Sequence, residues 1–249
     1  MEQETAQQTR QAKNNLAIPF AIVIAGALIA GAVYLGQRGD TSGITSLADA
    51  EREEARLSAA LDNMVPITNE DHIRGNPDAS VKIVEYSDME CPFCKRFHST
   101  MQQVMDEYGK NGEVVWVYRH FPLDSIHSQA RTEAVATECA NELGGNDAFW
   151  KYIDRFFELT SSNNQTNIAI ILPQIAREIG LDEAKFNSCL ASKKYDKHIQ
   201  DDLDNATATG GNGTPWSIVV TVSGKKYPLS GAQPYEVVKQ LIELALQEK

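Results

Sequence analysis

The amino-acid sequence predicts an α/β domain in which a strand, a helix, a second strand, a block of helices, a β-hairpin and a last helix follow in order. Three observations support this class. Residues 81–86 (Val-Lys-Ile-Val-Glu-Tyr) form a β-branched run typical of a strand. Apolar residues then recur every three or four positions up to Gly109, which indicates a helix. Between residues 127 and 209 no convincing strand occurs, so a helical block splits the sheet.

The boundaries of these elements follow from local signals. The first strand ends at Ser87-Asp88, and the first helix begins at Cys91 and ends at Gly109. Gly, Asn and Ser separate the apolar stripes of the helical block. The other predicted elements are a strand at 113–121, strands at 216–222 and through Lys226-Tyr227 around a Ser223-Gly224 turn, and a closing helix marked by the apolar residues of 237–245.

The N-terminal part of the chain is not predicted to belong to this domain. Residues 16–35 carry no charge, and as a helix they would cover about 30 Å, the thickness of a bilayer core. We therefore predict a cytoplasmic segment at 1–15, a transmembrane signal-anchor at 16–35 and an extracytoplasmic linker or stalk at 36–70, with a short exposed helix at 47–61. Small residues at 30–32 leave cleavage as a signal peptide open.

Composition excludes some classes of protein. The chain has 23 Lys and Arg against 34 Asp and Glu, a net charge of −11, which excludes a nucleic-acid binder that works by neutralising phosphates. Four cysteines are too few for a disulfide-scaffolded miniature, although they are enough for a reactive site.

The chemistry is concentrated in Cys91-Pro92-Phe93-Cys94, between a strand and a helix. The first cysteine lies where free backbone N–H groups and the helix dipole stabilise a thiolate, which lowers a cysteine pKa to roughly 3.5–7.5. Cys94, one turn into the helix, should stay a thiol until it resolves a mixed disulfide. Pro92 fits a first helical position, because no N–H is required there. This placement favours redox chemistry.

Two other uses of the cysteine pair compete with redox activity. A zinc site could combine Cys91 and Cys94 with His98 and with Cys139 or Cys189, but there is no second Cys-x-x-Cys motif. A purely structural disulfide is disfavoured because so small a ring constrains the unfolded chain little. The remaining histidines that we considered show no metal-ligand spacing and are expected at the surface or as caps: His120, His127 and His198. We therefore predict neither a metal nor a cofactor.

Two further motifs follow the cysteines in the chain: Gly213-Thr214-Pro215 before a strand, and Leu-Ser-Gly-Ala-Gln-Pro at 229–234 before the last helix. Together with the cysteine motif, they make residues 71–246 resemble the DsbA-like thiol:disulfide oxidoreductases. The resemblance is greatest to their membrane-anchored bacterial branch. It implies that residues 71–249 form a thioredoxin fold with an all-helical insert at about 125–209. It also implies a low pKa for Cys91, and a cis peptide at Thr214-Pro215 that, with Phe93, lies where an extended substrate binds.

The same family often carries a buried acid beneath the cysteines, at the position of Glu85. Alternation places Glu85 on the face of Val81 and Ile83, which favours burial over the alternative of a solvent-facing strand residue. A buried carboxyl with a raised pKa could accept the proton that Cys94 loses during resolution. In the other direction, Asp88 and Glu90 are expected to oppose thiolate formation at the neighbouring cysteine.

Cys139 and Cys189 fall on apolar stripes of the helical block, 50 positions apart. They could be two buried free thiols. The even count in an oxidising compartment, and the second cysteine pair of some DsbA-like proteins, suggest instead a structural disulfide between two helices of the insert. Closing such a loop would contribute on the order of 4 kcal/mol to stability.

The resulting functional prediction is an extracytoplasmic thiol:disulfide oxidoreductase, held in the cell membrane by one span, that acts as a dithiol oxidase. Its expected partners are cysteine-containing exported proteins and a membrane redox protein, DsbB-like or VKOR-like, that reoxidises it. Two alternatives stay open: a disulfide reductase or isomerase, and a thioredoxin-fold carrier whose two soft thiolates hold Cu(I). Phe93 favours weaker oxidising power, because strongly oxidising members of the family often carry His at this position.

Overall fold

The computed structural model describes residues 47–248. The predicted segments 1–15 and 16–35 and the first part of the predicted linker lie outside the described residues. Among the helices of residues 47–248, none combines the length and apolar character needed to cross a bilayer.

A five-stranded mixed sheet forms the centre of the domain, in the order β1-β3-β2-β4-β5. Its strands are β1 (His72–Gly75), β2 (Val81–Ser87), β3 (Val114–His120), β4 (Trp216–Val220) and β5 (Lys226–Ser230). Strands β2 and β3 are parallel, and the other neighbouring pairs are antiparallel. The central β2 and β3 are buried along almost their whole length, as their β-branched and aromatic composition predicts. Pro228 of the outer strand β5 lies opposite Ile218 of β4.

Helices cover the sheet and fill the long connection between β3 and β4. They are α1 (Leu47–Leu61), α2 (Pro92–Val104, continued by a π-helical turn Met105–Gly109), α3 (Ala130–Leu159), α4 (Ile168–Glu178), α5 (Glu183–Ser192), α6 (Asp196–Ala208) and α7 (Tyr235–Gln247). The kink in α3 falls at Gly145, whose φ of 72° is a conformation that glycine adopts without steric cost. Since α3 to α6 all lie between β3 and β4, the prediction of a thioredoxin fold with an all-helical insert is confirmed.

The insert is cross-linked by a disulfide between Cys139 of α3 and Cys189 of α5, with a Cα–Cα distance of 5.8 Å. The two residues are therefore not free thiols. Because both sulfurs are in this disulfide, neither can be the fourth ligand of the zinc site considered from the sequence.

The compact domain begins earlier than the predicted residue 71. Leu61 is buried and Leu57 packs against a core cluster that includes Tyr86, Val117 and Trp216. The backbone that follows is held as well, because the Arg119 guanidinium donates to the carbonyl oxygens of Val65 and Pro66. Residues 57–248 thus form one compact unit, and part of the predicted stalk belongs to it.

Strand β1 is absent from the sequence prediction. Its four residues, His-Ile-Arg-Gly, offer too short a run for an alternation pattern, and it forms by antiparallel pairing with the edge of β3.

Candidate functional site

The two cysteines lie at the start of α2, directly after the carboxyl end of β2. Cys91 is the N-cap residue, in an extended conformation, and Pro92 occupies the first turn. A tight turn fixes the backbone at Cys91, because the Cys91 N–H donates to the Asp88 carbonyl oxygen at 3.1 Å. Cys94 is fully buried, and Cys91 has 3% of its surface exposed. Both are free thiols in this structure.

The two sulfur atoms have opposite electrostatic environments. The hydrogen bond from the Cys94 thiol, with help from Thr214 and from the N–H groups of Phe93 and Cys94, lowers the pKa of Cys91 to about 6 against the effect of burial. Burial raises the pKa of Cys94 well above its ordinary value, and the negative charge that forms on Cys91 raises it further. At neutral pH the pair therefore holds one thiolate, on Cys91, and one thiol.

The Thr214-Pro215 peptide bond is cis and lies against the cysteines, as the family resemblance implies. The Cys91 thiol lies 3.5 Å from the Thr214 carbonyl oxygen, which accepts its hydrogen bond. Phe93 is on the open side of the site, with 52% of its surface exposed. Its ring lies 5.1 Å from the guanidinium carbon of Arg96, within the range of a cation–π contact. Of the three residues predicted to contact substrate, Thr214 thus contacts Cys91, Pro215 is buried next to it, and Phe93 is exposed to solvent.

Glu85 lies on β2 and is buried, with 1% of its surface exposed. The Trp116 indole N–H of β3 donates to its carboxyl at 2.9 Å. Burial raises the pKa of Glu85 to about 7 and outweighs the Trp116 hydrogen bond and the nearby Ser87 hydroxyl, which favour the carboxylate. Charge on Glu85 also raises the pKa of Cys94, so the two groups are electrostatically coupled. The expectation of burial on the face of Val81 and Ile83 is thus confirmed.

The acids next to Cys91 do not act as the sequence suggested. Asp88 is buried and accepts hydrogen bonds from the backbone N–H groups of Leu123 and Glu90, both at 2.7 Å, and His127 Nδ1 lies 2.9 Å from the same carboxyl. Glu90 accepts a hydrogen bond from the N–H of Asn164. Both carboxyls are thus bound by donors, and the hydrogen bonds to Cys91 lower its pKa although the two acids lie next to it in the sequence.

A second carboxyl pair lies beside the active-site turn. Glu133 of α3 is buried next to Glu90, and burial together with this neighbouring acid raises the pKa of Glu133 to about 10. Glu133 is therefore neutral at physiological pH. Nothing in the local sequence around Glu133 indicates this contact, because its partner lies in a different segment of the chain.

The predicted placement of the histidines was partly wrong. His120 and His127 are buried rather than at the surface. The His120 ring is hydrogen-bonded to the Glu138 carboxyl, and the His127 ring to the Asp88 carboxyl. His198 is 44% exposed along its side chain. His98, the other candidate zinc ligand, lies 2.7 Å from Asp154. Among residues 47–248, the group of potential metal ligands whose atoms come close together is His72, His120 and Glu138, and it does not include Cys91 or Cys94.

Comparison with known proteins places most of the chain in one family. The profile of the thioredoxin family matches residues 68–243. DsbA2 of Pseudomonas aeruginosa shares 29% identity and superposes with a TM-score of 0.61 over 72% of this chain and 96% of that chain. Oxidised BdbD from Bacillus subtilis, at 21% identity, shares the fold with a TM-score of 0.65 over 74% of this chain and 97% of that chain.

Curated relatives that match by sequence are much longer proteins. The Na(+)/H(+) antiporter NhaA 3 of Salinispora tropica is 35% identical over 173 residues, which cover 68% of this chain and 25% of that protein. NhaA 1 of Mycolicibacterium gilvum is 33% identical over 159 residues, 63% of this chain and 24% of that protein. The chain spans about a quarter of the length of these relatives.

Proposed function

Because the chain belongs to the thioredoxin family and is DsbA-like in its fold, we propose that it is a thiol:disulfide oxidoreductase that oxidises pairs of cysteines in exported proteins. The observation that carries this proposal is the difference in pKa between the Cys91 and Cys94 thiols. Cys91 has a pKa of about 6 and lies beside the cis proline, whereas Cys94 is buried with a raised pKa. Such a pair releases Cys91 readily as a thiolate, and a low-pKa leaving thiol favours oxidation of the substrate.

The reaction begins with the Cys91-Cys94 disulfide. A substrate thiolate attacks the Cys91 sulfur, so that a substrate–Cys91 bond forms, the Cys91–Cys94 bond breaks, and the Cys94 sulfur takes up a proton. A second substrate thiolate then attacks the substrate sulfur of this mixed disulfide. The substrate disulfide forms and Cys91 leaves as a thiolate, so two electrons have passed from the substrate to the cysteine pair.

Glu85 is assigned the proton exchange at Cys94. It is buried in the same region, its charge is coupled to that of Cys94, and its pKa of about 7 lets it hold or release a proton near neutral pH. It would protonate Cys94 during oxidation of substrate, and accept that proton again when the pair is reoxidised.

We further propose that the domain acts outside the cytoplasm, anchored by residues 16–35 and reoxidised by a membrane protein of DsbB-like or VKOR-like type. The Cys139–Cys189 disulfide supports an oxidising compartment, because such bonds are rare in the reducing cytosol. Protease treatment of intact cells should then degrade the domain, whereas degradation only after lysis would contradict this location.

The deciding experiment is the reduction potential of the Cys91-Cys94 pair in glutathione buffers, with Cys91→Ser as the control that reports any other thiol. A potential of about −120 mV supports the assignment as an oxidase, whereas one of about −270 mV assigns the protein to the reductases instead. A titration of the reduced chain with Cu(I) distinguishes the oxidoreductase from the alternative of a metal carrier. Tight binding that Cys91→Ser abolishes would favour that class.

A further inference from the structure

Four side chains from four different elements meet between the sheet and the helical insert. His72 comes from β1, His120 from the end of β3, Glu138 from α3 and His198 from α6. The Nε2 atoms of the three histidines lie 2.6, 2.9 and 3.6 Å from a single oxygen, Oε1 of Glu138. We propose that this cluster, the three-histidine site, binds a divalent transition metal ion of the Zn²⁺ type.

The geometry suits such an ion. Ligand atoms bound tetrahedrally at about 2.0–2.1 Å lie roughly 3.3 Å from one another. The ligand atoms of His72, His120 and Glu138 lie within 4.8 Å of one another, so small side-chain shifts would let these three residues hold the ion. A rotation of the partly exposed His198 side chain, whose Nε2 lies 3.6 Å from Oε1, would add the fourth ligand. The three imidazole rings are also arranged around a common point, with centroids 6.3 to 6.5 Å apart and interplanar angles of 68° to 84°.

The donor set selects the class of metal. Three imidazole nitrogens and one carboxylate oxygen are typical ligands of Zn²⁺, whereas Ca²⁺ and Mg²⁺ prefer sites made of oxygen atoms. The Glu138 oxygen already lies within hydrogen-bond distance of the Nε2 atoms of both His72 and His120, at 2.6 and 2.9 Å.

The surroundings provide both support and access. The imidazole of His72 stacks on Phe149, with ring centroids 3.5 Å apart, which fixes its plane. Asp202, which accepts the backbone N–H of His120 at 2.9 Å, lies 3.9 Å from His198 Nε2 and adds a second carboxylate next to the cluster. His72, His120 and Glu138 are buried. The 44% exposure of the His198 side chain gives an ion a path from solvent.

A metal at this position would join β1 and β3 to α3 and α6. Binding to the folded chain alone would raise its stability, since the ligands are far apart in the unfolded chain. This role is separate from thiol exchange, because neither redox cysteine is part of the cluster.

The test uses the full chain without a polyhistidine tag, with Cys91 and Cys94 oxidised so that no thiolate competes for metal. Titration with Co²⁺ should give one equivalent of binding with the visible absorption of a four-coordinate ion, and Zn²⁺ should displace it. Zn²⁺ should also raise the unfolding temperature. Ca²⁺ at the same concentration should do neither, and preferential Ca²⁺ binding would overturn the assigned metal class.

A variant on the exposed side of the cluster links the binding to these residues. His198→Ala should lower the Zn²⁺ affinity by at least about 10-fold without loss of the fold, since the side chain is partly in solvent. Asp201→Asn, an exposed change on the same helix, is the matched control and should leave the affinity unchanged. Failure of the oxidised chain to bind one equivalent, or binding that His198→Ala leaves unaltered, would overturn the proposal.

Discussion

The indole N–H of Trp116 donates a hydrogen bond of 2.9 Å to the buried carboxyl of Glu85 on the neighbouring strand. The two strands are parallel and in register, so the contact fixes the carboxyl in the region below the cysteines. A hydrogen bond of this kind favours the carboxylate, whereas burial favours the neutral acid. The balance sets the pKa of Glu85 at about 7, where the group can exchange a proton at neutral pH.

Replacing Glu85 by Gln should slow every step in which Cys94 gains or loses a proton. General acid–base groups typically contribute at least about 100-fold, so resolution of a mixed disulfide by Cys94 should fall by about that factor at pH 8. The inflection near pH 7 in the rate profile should also disappear. Glu236→Gln, an exposed change on α7, is the control. Equal resolution rates in Glu85→Gln and wild type would remove Glu85 from the mechanism.

The pKa of Cys91 predicts the pH dependence of its alkylation. In the reduced protein, labelling by iodoacetamide should be half-maximal near pH 6, and Cys94 should stay unreactive. Because the folded pKa is depressed from 9.0, the thiolate stabilises the reduced fold fully above pH 9, and this stabilisation is lost as the pH falls towards about 6. Cys94→Ala removes the hydrogen bond that contributes most and should move the midpoint to higher pH. A midpoint that stays near 6 in this variant would assign the shift to the helix start instead.

The buried Glu133 should destabilise the fold as the pH rises. Its pKa is raised from 4.5 to about 10, so the stability present below pH 4.5 is lost progressively up to about pH 10. Glu133→Gln keeps the size and polarity of the side chain and cannot ionise. Its free energy of unfolding should exceed that of wild type by on the order of 4 kcal/mol at pH 8, and by much less at pH 5. Urea denaturation at the two pH values measures this, and a gain of equal size at both would contradict the ionisation argument.

The Cys139–Cys189 disulfide closes a loop of 50 residues, and its removal should act on stability alone. The double variant Cys139→Ala/Cys189→Ala should lose on the order of 4 kcal/mol of unfolding free energy, the chain-entropy value for a loop of this length. The pH midpoint of Cys91 alkylation should not move. A shifted midpoint would show that the insert also controls the redox site.

Much of the fold follows from local sequence patterns. Strand β2, helix α2 and strand β3 are each specified by their own apolar spacing. The cysteine motif could be placed at a helix start for the same reason. Glu85 is buried as alternation predicted, although β2 is covered on both faces, so alternation alone does not account for its burial. The helical character of the insert was also visible in its apolar stripes, whereas the cis proline came from family resemblance, since no local pattern specifies it.

The rest depends on contacts between distant segments. His72 and His120 are buried because Glu138 lies between them, and the three residues are brought together only when β1 pairs with β3 and α3 packs against the sheet. Asp88 and Glu90 looked like unpaired acids beside a thiolate, but Leu123, His127 and Asn164 supply their donors from later in the chain. The charges of neighbouring residues in the sequence do not reveal hydrogen-bond donors that come from distant segments.

Pro228 has a consequence for how this protein behaves at high concentration. Gly231 N donates to Pro215 O, and Thr221 N donates to Lys225 O, so the hydrogen-bonded pairs of β4 and β5 fall at odd-numbered residues of β5. The nitrogen of Pro228 therefore faces outward, at the free edge of the sheet, where it offers no N–H to a strand from another molecule. Unfolded chains readily add strands to open sheets, and an edge that lacks this donor discourages such edge-to-edge aggregation.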